Sequence, residues 1–107
     1  MNKSVEDLIY DLAGKLESLA PINRVLPDGF NVPQIVIRGR ETNFKYNEDT
    51  LIESTGIITL DLYCAVNYDN LKAAIRNTVI DNDYHLLDYE DLIDAGEYYH
   101  ARIVVQK

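Results

Sequence analysis

Thr55-Gly56-Ile57-Ile58-Thr59-Leu60-Asp61-Leu62-Tyr63-Cys64-Ala65-Val66 decides the fold of this chain. Ile58, Leu60, Leu62, Cys64 and Val66 alternate with Thr55, Ile57, Thr59, Asp61 and Tyr63. Period-2 alternation over this length predicts a strand with one face on a core and the other turned away from it. Leu60 is expected to face the core, and Asp61 the open side. Cys64 falls in the apolar set, so it reads as a small buried hydrophobe and not as a reactive thiol.

Working outward, the residues on either side switch to helical spacing. Asp69 to Ile80 predicts a helix capped by Asn67 or Asp69, with Leu71, Ala74, Ile75, Thr78 and Val79 on its buried stripe. An earlier helix is predicted over Ser4–Ala20. Ser4 is its N-cap, Glu6 and Asp7 lie where the helix dipole favours acids, and Pro21 stops it. Its stripe is Val5, Leu8, Ile9, Leu12, Leu16 and Leu19, with Tyr10 and Gly14 opposite. Between the helices, Ile22–Leu26 predicts a short strand before a Pro27-Asp28-Gly29 turn, and Gln34–Arg40 a strand reaching towards Tyr46. Residues 47–53 read as a loop, and the wider stretch 43–53 as a loop or a protruding hairpin with poor local packing. Past the second helix, His85–Tyr89 reads as a short strand, Asp94-Ala95-Gly96 as a turn and Tyr98–Gln106 as the last strand. In that strand Tyr99, Ala101, Ile103 and Val105 share one face, and Tyr98, His100, Arg102 and Val104 the other. The order is α-β-β-β-α-β-β. Two helices with one apolar stripe each imply an α+β fold: a mainly antiparallel sheet with both helices on one face.

At 107 residues the chain makes a single domain spanning 1–107 with one modest core. Its formal charge is −8, which disfavours sequence-blind binding to nucleic acid or an anionic membrane. No apolar run approaches a membrane span, and the opening residues carry no apolar stretch of the signal-peptide kind. The single cysteine excludes an internal disulfide and fits a reducing compartment. Charge is segregated. Residues 21–46 are net +2, whereas residues 81–97 hold Asp81, Asp83, Asp88, Glu90, Asp91, Asp94 and Glu97 with no Lys or Arg.

The open sheet face gathers Arg38, Arg40, Asp61, Tyr63, Tyr98, His100 and Arg102. An enzyme built there would use His100 as base and Asp61 to orient it. The competing reading, which carries the expectation here, is cross-strand polar pairing on a solvated or partner-covered face, with no catalytic residue and no cofactor. Asp81-Asn82-Asp83 opens like a calcium loop. The pattern then fails, with Leu86 at position six and Leu92 at position twelve, so no metal site is expected. Eight tyrosines without tryptophan suit half-wet contacts, and Tyr10, Tyr63 and Tyr98 are expected at a subunit interface.

Several stretches together resemble the tail terminator, or tail completion, proteins of long-tailed bacteriophages. These are the opening helix Val5–Leu19, the turn Leu26-Pro27-Asp28-Gly29-Phe30-Asn31-Val32-Pro33 and the extended Gln34–Arg38. The long strand Gly56–Ala65 running into Tyr68-Asp69-Asn70-Leu71, and the close Tyr98–Val105, complete the pattern. The resemblance implies a virion structural protein at the tail-neck junction, made in the host cytoplasm. It implies a homo-oligomer, a hexameric ring that caps the tail tube protein, stops its polymerisation and meets the head connector or stopper protein. DNA then passes through the lumen without specific binding. The resemblance also implies that Phe44–Glu53 is a mobile loop or arm that orders against a neighbour or the tail tube. Assembly is expected to be head to tail, the Arg38/Arg40 side of one subunit meeting some of Asp81, Asp83, Asp88, Glu90, Asp91 and Asp94 of the next. The alternatives are another phage neck component, or a small protein-recruiting module that uses its open sheet face.

Overall fold

The first helix, α1 (Val5–Leu16), begins where Ser4 caps it, the Ser4 hydroxyl accepting the Asp7 backbone N–H at 3.2 Å. This computed structural model describes residues 4–26, 31–92 and 98–107; the expected turns at Pro27-Asp28-Gly29 and Asp94-Ala95-Gly96 lie outside the described residues. Leu8, Ile9, Leu12 and Leu16 are the buried stripe of α1, as their spacing predicts. Regular helix stops at Leu16, short of Ala20, and turns carry the chain on to Pro21.

Five strands follow around the second helix: β1 (Ile22–Asn23), β2 (Gln34–Asn47), β3 (Thr50–Cys64), α2 (Tyr68–Asp81), β4 (His85–Leu92) and β5 (Tyr99–Gln106). The sheet order is β1-β2-β3-β5-β4. Only the two-residue β1 runs parallel to its neighbour, β2; the other three pairings are antiparallel. Both helices cover one face, and the expected α+β order is the observed one. The register stacks the core in rows. Ile37, Leu60 and Ile103 form one row, Ile35, Leu62 and Ala101 the next, and all six side chains are buried. Gly39 and Gly56 let α1 settle on the sheet: a Cβ at Gly39 would lie 2.7 Å from both Ile9 Cδ1 and Val5 Cγ1, and one at Gly56 2.7 Å from Leu8 Cδ1.

Three expectations are corrected. Val66 is not on the core face but 74% exposed, because β3 ends at Cys64 and the chain turns through Asn67, whose left-handed φ of 59° opens α2. Residues 47–53 are not a loop. Only Glu48 and Asp49 turn, Glu48 at φ 55°, and Thr50–Glu53 are strand paired to β2. The hairpin half of the 43–53 reading is the one observed: β2 and β3 continue past the helices as a two-stranded ribbon. Its ladder shifts register around Lys45, with Asn43 at φ 54°. Asp61, finally, lies on the face away from the helices as predicted, yet it is only 3% exposed. Neighbouring strands cover it with their own side chains.

Candidate functional site

The open face is organised around Asp61 at the middle of β3. Its register partners are Val36 on β2 and Arg102 on β5, and Glu90 on β4 lies beyond Arg102. Three donors converge on the carboxylate: Arg38 Nη2 at 2.9 Å, His100 Nε2 at 2.8 Å and Arg102 Nε at 3.0 Å. Alternation places all four side chains on the same side of three adjacent strands. A carboxylate taken out of water is costly unless it is paired and hydrogen-bonded, and here both conditions hold. Among the described residues no buried side-chain polar atom is left without a partner.

Aromatic rings flank this centre. Tyr63 stacks on the His100 ring with centroids 4.2 Å apart, and Tyr98 meets Tyr63 edge-on at 5.6 Å. His100 is 7% exposed, so its imidazole is enclosed between a carboxylate and a phenol ring. That arrangement orients the histidine. Cys64 is on the opposite face, buried, its thiol directed at the Val66 carbonyl oxygen at 2.9 Å.

The structure separates the residues expected at an interface. Arg38 and Arg102 are committed to Asp61 within their own chain, although each keeps part of its guanidinium in water. His100 is buried: it lies on the open face as alternation predicts, but the Tyr63 ring stacks on its imidazole and Nε2 is held against the Asp61 carboxylate. Tyr63 and Tyr98 are half-buried in the same cluster. Tyr10 stands out from α1 at 82% exposure. Arg40 is exposed on β2 and forms no ion pair among the described residues. Asp81 and Asp83 lie at the far end of α2, whereas Asp88 and Glu90 lie on β4 with side chains on the open face.

Asp91 points the other way. Its carboxylate accepts Lys72 Nζ at 2.8 Å and the Tyr68 hydroxyl, fastening α2 to β4. These two donors hold the Asp91 carboxyl below the usual carboxylate range. Burial, followed by the bond to Asp91, pushes the Tyr68 phenol well above its ordinary value. Lys72 is buried on α2, outside the expected stripe, with its ammonium 4.2 Å from the centroid of the Tyr89 ring. Helical spacing carries no signal for this clamp. A lysine stem can lie along a core while its head reaches a partner supplied by a distant strand.

At the far end of the ribbon, Phe44, Tyr46, Leu51 and Ile52 are exposed. Tyr46 and Leu51 are cross-strand partners, and Lys45 and Glu53 pair at 3.5 Å beside them. Among the described residues no group of three or more His, Cys, Asp or Glu side chains is placed to hold a metal ion, and no helix is long and apolar enough to cross a membrane. No protein-family model matches the chain, and no curated protein matches it.

Proposed function

We propose that the chain is a non-catalytic structural subunit of a long-tailed bacteriophage: a tail terminator whose ring caps the tail tube and joins it to the head connector. The observation that carries this reading is the β2–β3 ribbon, which projects from the sheet with Phe44, Tyr46, Leu51 and Ile52 in water. An isolated two-stranded ribbon is marginal on its own, and grouped exposed apolar side chains mark interaction surfaces. A ribbon of this kind suits an arm that is completed by a neighbouring subunit or by the tube. The −8 charge suits a channel wall along which DNA slides without being gripped.

The test is mass in solution over a concentration series, followed by electron microscopy with and without tail tubes. Rings that seat on tube ends are the expected result. A protein that stays monomeric at every concentration and never binds tubes overturns the reading. The second reading, a protein-recruiting module, is favoured by the Tyr63–Tyr98–His100 stack beside the water-facing parts of Arg38 and Arg102. The paired variants Phe44→Ser and Ile52→Ser separate the two. They abolish assembly if the ribbon is the arm, and leave partner capture intact if the open face does the binding.

A further inference from the structure

The open face carries an alternating row of charge that runs from one edge of the sheet to the other. Arg38 stands on β2, Asp61 on β3, Arg102 on β5 and Glu90 on β4, so the signs read plus, minus, plus, minus. The row ends positive at the β2 edge and negative at the β4 edge. Arg40 extends the positive end and Asp88 the negative end, both exposed and both on the same face as the row. Among the described residues each edge also has unpaired backbone: β4 has β5 on one side only, and β1 pairs with β2 at Ile35 and Val36 alone, leaving the β2 edge without a strand partner from Ile37 onward.

We infer that a second copy of this chain docks edge to edge, β4 of one subunit pairing antiparallel with β2 of the next, so that the sheet and its charge row continue across the boundary. The inference rests on the ring-subunit reading and supplies its contact. Strand directions permit it. β2 and β5 run one way and β3 and β4 the other, so a head-to-tail repeat sets β4 beside an oppositely directed β2. In an antiparallel register that sets Arg38 opposite Glu90, Arg40 falls opposite Asp88. All four side chains then project from one face as cross-strand neighbours, with Cβ atoms about 4.5–5.5 Å apart, where opposite charges attract. The same acids disfavour pairing of β4 with another β4: like charges directly opposite repel, and charged edges resist self-pairing. A junction of two different edges is heterologous, so it propagates and closes into a ring where the rotation per subunit allows.

Two sets of variants of the full chain test this, each checked for an unchanged melting temperature. At low salt, Asp88→Arg alone and Arg40→Glu alone should each raise the concentration needed for association by about tenfold, and combining them should restore it. In a chain carrying both Arg40→Cys and Asp88→Cys, oxidation should give a ladder of disulfide-linked multimers. The parent chain, whose Cys64 is buried, and the Arg40→Cys/Asp81→Cys chain should give none. Rings that form without the ladder and without rescue by the swap overturn the edge contact while leaving the ring reading intact. A ladder from open filaments that never cap tubes supports the edge contact and overturns the ring reading. A strictly monomeric protein overturns both.

Discussion

Both halves of β3 carry large apolar side chains, more of them in the inner half, and those side chains meet opposite fates. The inner half, Ile57–Cys64, is paired on both sides and covered by two helices; Ile58, Leu60, Leu62 and Cys64 have no exposed surface. The outer half, Thr50–Gly56, is paired to β2 alone and leaves Leu51 and Ile52 in water. The difference shows that apolar residues in a strand do not bury themselves. Burial requires a second layer, and α1 meets the sheet at Gly39 and Gly56, where missing side chains let it settle close.

The contrast can be broken at its strongest point. Leu60→Ala in the inner half leaves a cavity in a fully packed layer and should cost about 2–5 kcal/mol by denaturant unfolding. A cost near zero would mean the core does not pass through this row. The open side of the same half is held by the buried carboxylate. Asp61→Ala strips three donors of their acceptor and should cost about 1–3 kcal/mol, whereas Asp61→Asn, which keeps an acceptor oxygen, should recover part of the loss. Equal losses for both variants would show that charge, rather than hydrogen bonding, holds the three strands together.

Smaller effects sharpen the edges of the comparison. Asp91 has a folded-state pKa below its unfolded value. Its contribution is therefore fully present above the ordinary carboxylate pKa and is lost as pH falls through the folded pKa. The side chain is largely exposed, so the contribution is below about 1 kcal/mol. Asp91→Asn should flatten the acid limb of a stability-versus-pH curve and change little at pH 7 beyond that amount. At the ribbon, Ile52→Ser should shift the stability of the isolated subunit by no more than about 0.5 kcal/mol, since little packing is lost. Amides of residues 43–53 should exchange with solvent far faster than those of Ile57–Cys64 in the unassembled protein. Strong protection there would mean that the ribbon is completed within one subunit.

Much of this was legible in the residues, for a local reason. Period-2 alternation marked Leu60 and Leu62 as core, helical spacing marked Leu8, Ile9, Leu12 and Leu16, and Ser4 marked the start of α1. Each of these depends on the geometry of a few consecutive residues. The misread stretch, 47–53, has no period because register shifts around Lys45 and a two-residue turn interrupt it. A broken ladder looks like a loop to any periodicity argument.

The sequence by itself determined the element order, the α+β class and the side of the sheet on which the β3 residues from Thr55 to Cys64 stand, because side-chain direction in a strand or helix follows from backbone geometry alone. Tertiary structure alone decided that Asp61 is buried, that Lys72 reaches Asp91 and Tyr89, and that one edge of the sheet is basic and the other acidic. Those outcomes depend on which strands become neighbours. Arg38, Asp61 and Arg102 are at least 23 residues apart in the chain, and only the pairing of β2, β3 and β5 brings them within 3.0 Å of one another's partner atoms.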